Sequence, residues 1–308
     1  MRPLVLVVAL MFGACSQPQS AATSHSSIDS FVNTAVTDTQ AQRTAPQHAA
    51  DRVIGVTVDD ISNLNDIVES LQKLPQRVTV RLVFNLPFAP DVYRDAVKQI
   101  SKVADILGQP ADSVYVAKLS LAQYGKRFED FLVAFPEIEL WEIGNEINGH
   151  WLGTGVPEKL DAAFDLVKGA GRKAVVVPYW NTDNCKDKNG IWLPWLAKNV
   201  SNKVKAGADY VLVSVYGMDC DGPEPTATEI TAFYQQLGVM FPNAKLGLGE
   251  IGAGEKATLV QREAALKYYL LLPKLHPRDI GFLGYWWFKQ DMVPKAKSSW
   301  SVLADGMR

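Results

Sequence analysis

Two glutamates in similar local settings are the residues best suited to do chemistry in this chain. Glu146 follows Asn145 at the end of one short apolar run, and Glu250 follows Gly249 at the end of another, 104 positions later. Two carboxyl groups about 5 to 5.5 Å apart can cleave a glycosidic bond, because one donates a proton to the leaving oxygen while the other attacks the anomeric carbon. The pair predicts this reaction if the fold brings both residues to one site.

The elements that must position these residues repeat along the chain. From Arg52 onward, short runs of β-branched residues alternate with longer stretches of helical period, which is typical of βα units and a parallel sheet. Strands are predicted over residues 52–58, 77–84, 114–119, 139–143, 174–178, 210–216, 245–249 and 280–287. Helices are predicted over residues 63–73, 91–107, 126–134, 157–168, 192–206, 226–240 and 258–274.

Eight such strands predict an α/β fold, a minimal single-domain (β/α)₈ barrel (TIM barrel) over residues 51–308 that ends in a short helix. The alternative is an open doubly wound sheet, which would usually carry a glycine-rich phosphate-binding turn after its first strand. The turn here, Val58-Asp59-Asp60-Ile61, contains no glycine and favours the barrel.

In a barrel, residues that do chemistry sit at the carboxyl ends of the strands. Glu146 ends the fourth predicted strand region and Glu250 ends the seventh, so they should face each other across the barrel mouth. Several further residues at or near predicted strand ends could line the same cleft: Asp59, Asp60, Asn85, Lys118, Ser120, Trp151, Trp180, Asn181 and Asp219.

At these positions the chain resembles the retaining glycoside hydrolases of clan A, the 4/7 superfamily, over the whole barrel. The resemblance implies that Glu146 is the acid/base, that Glu250 is the nucleophile, and that Asn145 binds the sugar 2-hydroxyl. It also implies cleavage of a β-linked poly- or oligosaccharide by double displacement, with no cofactor and no metal. The substrate stays open, and a bacterial exopolysaccharide is one candidate.

Further substrate-site residues follow from the same resemblance. Arg81 falls where the clan keeps an arginine beside the nucleophile, and Trp286 matches the tryptophan floor of the site. Strand six departs from the clan's pattern of a His followed two residues later by a Tyr. Tyr216 either hydrogen-bonds the nucleophile, as the clan's Tyr does, or occupies the His position and leaves the Tyr role empty. Glu142 would be a structural partner of an arginine. Trp151, Trp180 and Lys118 complete the predicted substrate-binding residues.

The first residues are typical of an export signal. Met1-Arg2-Pro3 precedes an apolar run over residues 4–12, and then Gly13-Ala14-Cys15. This run is too short for a stable membrane span, and its end resembles a bacterial lipoprotein signal that would be lipidated at Cys15. Residues 1–15 are therefore a predicted signal peptide, with Ser20-Ala21-Ala22 as the alternative cleavage site.

The export signal predicts an extracytoplasmic protein, and the resemblance implies a carbohydrate partner. Residues 16–50 are poor in large apolar side chains and predict a disordered tether. We expect a periplasmic or outer-membrane lipoprotein, monomeric, touching the membrane only through the lipid on Cys15. A net charge of -2 and a pI near 6.1 give no basic surface for nucleic acid.

Export would let a disulfide persist between Cys185 and Cys220, which follow consecutive predicted strands, and two free thiols are the alternative. Neither the cysteines nor the four scattered histidines form a metal signature.

Two other functions remain open. One is an exported carbohydrate-binding protein on an inactive hydrolase barrel, which the intact glutamate pair disfavours. The other is a metal-dependent barrel enzyme, which would need at least three ligands at strand ends within mutual reach. Sequence does not separate hydrolysis from transglycosylation.

Overall fold

The structure is a computed structural model and describes residues 52–182, 190–220 and 223–308, with the backbone alone at positions 219 and 220. The predicted signal peptide, the tether and the lipidation site Cys15 lie outside the described residues. So do Cys185 and the side chain of Cys220, and the proposed disulfide stays a prediction.

Eight parallel strands form the centre of the fold. They are β1 (Val53–Val58), β2 (Thr79–Val83), β3 (Asp105–Gln109), β4 (Leu140–Asn145), β5 (Lys173–Val177), β6 (Tyr210–Val215), β7 (Lys245–Ile251) and β8 (Asp279–Tyr285). Each strand pairs with the next in chain order, and β8 pairs with β1, which closes the barrel. The predicted single (β/α)₈ barrel is confirmed.

Helices surround this barrel on the outside. They are α1 (Leu64–Gln72), α2 (Arg94–Ile100), α3 (Ser113–Val116), α4 (Leu121–Ala134), α5 (Val156–Gly169), α6 (Trp192–Asn199), α7 (Asn202–Gly207), α8 (Ala227–Met240), α9 (Leu259–Leu271), α10 (Phe288–Met292) and α11 (Ser298–Asp305). Single 3₁₀ turns occur at Pro90–Tyr93, His150–Leu152 and Gly217–Cys220. Within the described ranges, no helix is long and apolar enough to cross a membrane.

The prediction for the third strand is wrong. The first residues of the β-branched run 114–119 belong to helix α3 instead of a strand. The Asp112 side chain caps this helix by accepting a hydrogen bond from the Val114 N–H at 3.1 Å. The true β3, Asp105–Gln109, begins within the predicted helix 91–107 and runs past its end, while the actual helix α2 ends at Ile100. Gly108 in β3 leaves room for the Trp141 ring, which a β-carbon there would approach to 3.0 Å.

The predicted helix over residues 192–206 is two helices. Val200 has an extended backbone and ends α6, and the Ser201 hydroxyl then accepts from the Val204 N–H at the start of α7. The remaining helix predictions match in type and differ at their ends, by up to five residues at the start of α4.

Apolar packing occurs on both sides of the strands. A large buried core joins the outer faces of the strands to the helices. A second, smaller group consists of strand residues alone and fills the barrel interior, with Leu107, Val175, Val177, Leu212 and Leu283 as its buried members. Nearer the mouth the barrel interior contains charged side chains, and Arg81 and Glu142 are buried there.

Barrel closure between β1 and β8 depends on the absence of a side chain at Gly55. A β-carbon there would stand 2.2 Å from the Leu283 carbonyl oxygen on β8, which is backbone and cannot rotate away. We expect Gly55→Ala to lower the free energy of unfolding by about 3 kcal/mol, at the upper end of overpacking effects. Urea unfolding followed by circular dichroism measures this loss.

Gly169→Ala is the matched control, because a β-carbon at this last residue of α5 would meet no atom within 4 Å. Its stability should stay the same or rise by up to about 1 kcal/mol, since Ala has the better helix propensity. Equal unfolding midpoints for the two variants would contradict this account of the β1–β8 contact.

Candidate active site

A cavity of about 520 Å³ opens at the carboxyl ends of the strands, where a barrel carries its reactive groups. This volume lies within the range of small-molecule sites. Residues from six consecutive strand ends, β3 to β8, reach it. The lining comprises Asp112, Ser113, Val114, Asn145, Glu146, Trp151, Tyr179, Tyr216, Glu250, Glu255, Trp286 and Trp287.

Three hydrogen-bond donors converge on the Glu250 carboxylate. Asn145 Nδ2 donates to Oε1 at 2.8 Å, and the Tyr216 hydroxyl donates to Oε2 at 2.7 Å. Arg81 Nη2 lies 2.5 Å from Oε1 in an ion pair. Strands β2, β4 and β7, together with the residue after β6, therefore fix the position of one carboxylate.

Arg81 holds a second carboxylate deeper in the barrel. Its Nε and Nη2 donate to the two oxygens of Glu142 at 2.7 and 3.0 Å, which is bidentate geometry. Burial alone would lower the pKa of Arg81, but the carboxylates of Glu142 and Glu250 raise it above its usual value. The guanidinium therefore stays charged and links the two acids.

Glu146 has a different environment from Glu250. Its carboxyl is buried, and the Ser113 hydroxyl donates to its Oε2 at 2.9 Å. Burial raises the pKa of Glu146 well above its usual range, and the charges of Glu250 and Asp112 raise it further. The protonated form is therefore favoured at pH values where an exposed glutamate is ionised.

The backbone at Glu146 is left-handed, with φ at 51°, which is rare for residues other than glycine and asparagine. Two hydrogen bonds fix the turn that follows. The Gly149 N–H donates to the Glu146 carbonyl at 2.7 Å, and the Ile147 N–H donates to the Val177 carbonyl at 3.1 Å. Glu146 thus lies at the start of a hydrogen-bonded turn directly after β4.

Aromatic rings form much of the wall around the two acids. Trp286 is half-buried and lines the cavity, while Trp287 is buried and donates from Nε1 to the Ala253 carbonyl at 2.8 Å. Trp151 meets Tyr179 edge to face, at 5.5 Å between ring centroids. Flat apolar rings beside carboxylates suit a ligand with both apolar faces and hydroxyl groups.

Most of the predicted site residues meet here. Glu146, Glu250, Asn145, Tyr216, Trp286 and Trp151 line the cavity, and Arg81 lies directly behind Glu250. Glu142 is a buried partner of that arginine, as the resemblance implies.

Trp180 and Lys118 lie elsewhere. Trp180 lines a different cavity, and its ring packs on Phe233 at 4.7 Å between centroids. Lys118 is exposed, and its ammonium lies 5.0 Å from the centroid of the Tyr115 ring. Because Lys118 follows helix α3, its placement on the third strand is wrong.

Sequence reasoning missed the two residues that follow β3. Asp112 and Ser113 both line the cavity and are both buried. Burial raises the pKa of Asp112, and the charge of Glu250 adds to the rise. The misplaced third strand hid them, although an Asp-Ser pair three residues after the segment Asp105–Gln109 is a helix-cap signal. Tyr179, Glu255 and Trp287 were also missed.

Within the described ranges, no group of three or more His, Cys, Asp or Glu side chains is arranged to hold a metal ion. The cavity instead combines two differently placed carboxyl groups, hydrogen-bond donors and aromatic rings.

No family model matches the chain, and no curated protein matches its sequence. Solved structures do share its fold. A GH5-4 broad specificity endoglucanase from an uncultured bacterium is similar with a TM-score of 0.54 and 11% identity, over 84% of this chain and 95% of that one. A GH5-4 broad specificity endoglucanase from Bacteroides salanitronis is similar with a TM-score of 0.53 and 14% identity, over 84% of this chain and 93% of that one.

A third similar structure is a GH128 (subgroup II) endo-β-1,3-glucanase from Pseudomonas viridiflava, with a TM-score of 0.52 and 13% identity, over 84% of this chain and 96% of that one. GH5 and GH128 lie in clan A of the glycoside hydrolases. At these identities the likeness establishes a shared fold alone. The chain therefore shares the (β/α)₈ barrel fold of these glycoside hydrolases.

Proposed function

We propose that this protein is a retaining glycoside hydrolase that cleaves a β-linked glycan, with Glu250 as nucleophile and Glu146 as general acid/base. The observation that carries the proposal is the contrast between two carboxyl groups in one cavity. Glu250 has three donors around it, whereas Glu146 is buried with a raised pKa.

The donors around Glu250 support its role as the nucleophile. An arginine has no acceptor atom and the amide nitrogen of Asn145 can only donate, so a proton on Oε1 of Glu250 would find no acceptor in either group. The carboxylate form satisfies all three groups. Oε1 accepts from two of them and Oε2 only from Tyr216, so Oε2 keeps more lone-pair capacity for attack.

In the first step, Glu250 attacks the anomeric carbon while Glu146 gives its proton to the glycosidic oxygen. The bond from the anomeric carbon to that oxygen breaks, the aglycone leaves as an alcohol, and an ester to Glu250 forms. Glu146 needs its proton at neutral pH for this step. Burial beside the charged Glu250 supplies that condition by raising the pKa of Glu146.

In the second step the roles of Glu146 reverse. Once Glu250 is esterified it carries no charge, so one of the causes that raise the pKa of Glu146 is gone. Glu146 then exists more readily as a carboxylate and takes a proton from water. The water oxygen attacks the anomeric carbon, the ester bond breaks, and Glu250 is released as a carboxylate with net retention at the anomeric carbon.

A β-linked glycan is the substrate class that the comparisons favour. The similar structures from GH5 and GH128 are endoglucanases and an endo-β-1,3-glucanase by name. The half-buried Trp286 offers a ring on which a pyranose face can stack next to Glu250. Within this class, an exported bacterial polysaccharide remains our proposal for the natural substrate, on the strength of the export signal alone.

Of the predictions that follow from this proposal, the first concerns the covalent intermediate. Exposure to a panel of 2-fluoro β-glycosides should add one glycosyl group to the wild-type protein, and peptide mapping should place it on Glu250. Glu250→Gln should form no adduct and lose activity by about a thousandfold or more. Glu146→Gln should lose about 100- to 10,000-fold with an alkyl aglycone, because such a leaving group needs a proton.

The matched control is Glu129→Gln, the same change on an exposed face of α4, which should keep full activity. Product analysis by NMR should show a β-anomer released first. An α-anomer, or an adduct on another residue, contradicts the proposed mechanism. Binding of a glycan by both site variants, with no turnover by the wild type, would favour the binding-protein alternative.

The second prediction concerns stability and pH. The raised pKa of Glu146 means that the folded protein binds the proton of this carboxyl more tightly than the unfolded chain does. In the unfolded chain the pKa of Glu is about 4.3. The resulting stability is fully present below that pH and is lost as the pH rises through the folded pKa. Gln cannot ionise, so the melting temperature of Glu146→Gln relative to wild type should increase with pH from about 4 to 8.

Thermal unfolding at a series of pH values measures this difference. Glu129→Gln again serves as the control, because it makes the same substitution at an exposed position on α4, away from the cavity. A flat or falling difference for Glu146→Gln would mean that burial does not hold the proton on Glu146.

A further inference from the structure

Ser113 is linked by hydrogen bonds to both proposed catalytic carboxyl groups, directly to Glu146 and through Asn145 to Glu250. It follows β3 as the first residue of α3, and the Asp112 side chain before it caps this helix. Its side chain is buried and lines the cavity. The proposed double-displacement reaction assigns this serine no step.

Two hydrogen bonds extend from Ser113 to adjacent residues of β4 and the turn after it. Its backbone N–H donates to Asn145 Oδ1 at 2.8 Å, and its hydroxyl donates to Glu146 Oε2 at 2.9 Å. The first bond sets the orientation of the Asn145 amide, because a flipped amide would turn its NH₂ group toward the Ser113 N–H. In the observed orientation, Asn145 Nδ2 donates to Glu250 Oε1.

We propose that Ser113 is a positioning residue for both carboxyl groups, acting on Glu146 through its hydroxyl and on Glu250 through its backbone N–H and Asn145. This inference rests on the proposed function. Because the hydroxyl donates to Oε2, the proton of Glu146 resides on Oε1. After proton transfer the same bond becomes charge-assisted and stabilises the new carboxylate.

Other charged and titratable groups face Glu146 from several elements. Glu250 on β7 and Asp112 after β3 disfavour its ionised form, whereas Arg81 on β2 favours it. Tyr216 after β6 lies nearby and donates to Glu250 instead. Across the described part of the chain, the Ser113 hydroxyl is the one side-chain donor to the Glu146 carboxyl. Removal of this hydroxyl therefore leaves that carboxyl without its donor.

Ser113→Ala isolates the hydroxyl, since the backbone N–H to Asn145 remains. For an alkyl β-glycoside, kcat/KM should fall about tenfold, the size expected for one hydrogen bond to a charged group. The basic limb of its pH profile should move to higher pH, because this hydrogen bond lowers the pKa of Glu146. For the 2,4-dinitrophenyl glycoside, whose leaving group needs no proton, kcat/KM should stay within about twofold.

Ser113→Pro removes the N–H as well. Proline is favoured at the first position of a helix, and the extended backbone of Asp112 (φ -67°, ψ 150°) suits the residue before a proline. This variant should also lose activity toward the 2,4-dinitrophenyl glycoside, because Asn145 is no longer oriented toward Glu250. Ser113→Thr, which keeps both donors, should recover most of the alkyl-glycoside activity.

Ser299→Ala is the matched control. It removes another buried hydroxyl that donates to a glutamate, Glu263, at 2.8 Å, away from the cavity. It should leave both kcat/KM values and the pH profile unchanged. An equal loss for both aglycones in Ser113→Ala, or an unmoved basic limb, overturns the proposal, because a purely structural role would not depend on the leaving group.

A substrate-free measurement separates this inference from the proposed function. In protein labelled with ¹³C at glutamate, the carboxyl signal of Glu146 should titrate at higher pH in Ser113→Ala than in the wild type. That shift supports the role of the Ser113 hydroxyl even if no glycoside is turned over. A shift without turnover would mean that the proposed function fails while the hydrogen bond to Glu146 stands. An unchanged titration overturns the role of the hydroxyl.

Discussion

The charge balance around Arg81 is the constraint on which the barrel mouth depends. This guanidinium is fully buried and lies against two carboxylates, Glu142 on β4 and Glu250 on β7. A buried charge costs several kcal/mol to desolvate, and removal of one partner from such a pair destabilises by about 3 to 5 kcal/mol. The three strands that carry these residues are therefore held in register by electrostatics as well as by backbone hydrogen bonds. Glu142 serves this balance and does not reach the cavity.

The same balance separates the two glutamates that do reach it. Arg81, Asn145 and Tyr216 surround Glu250 with donors, and an ionised carboxylate satisfies them. Glu146 receives one hydroxyl donor and lies in the field of the Glu250 charge. Identical side chains thus have different surroundings, and the proposed reaction needs such a difference because it uses one acid and one nucleophile. In that reaction, loss of the charge on Glu250 would remove one of the causes that raise the pKa of Glu146.

Sequence alone predicted the barrel because strands and helices alternate with fixed physical periods. It placed the two glutamates at the carboxyl ends of two strands, and the resemblance to clan A implied their roles. Seven of eight strands were located to within a few residues, since each is a buried run bounded by polar turns. The third strand was missed because residues 114–119 have the composition of a strand. The side-chain cap at Asp112 is the local feature that starts a helix there. That error also hid Asp112 and Ser113 and put Lys118 at a strand end. Contacts between segments far apart in the chain, such as Trp180 against Phe233, leave no signal in the local amino-acid sequence.

The backbone at Glu146 shows why the Asn-Glu pair cannot be explained as an ordinary strand end. In a strand, successive side chains point to opposite faces, so Asn145 and Glu146 should not both face the cavity. Both line it, because the left-handed conformation at Glu146 turns its side chain back toward the mouth after Asn145 ends β4. A residue held in this region costs about 1 to 3 kcal/mol. Glycine or asparagine would tolerate it better, so the fold retains strain at the position where the proposed reaction needs an acid.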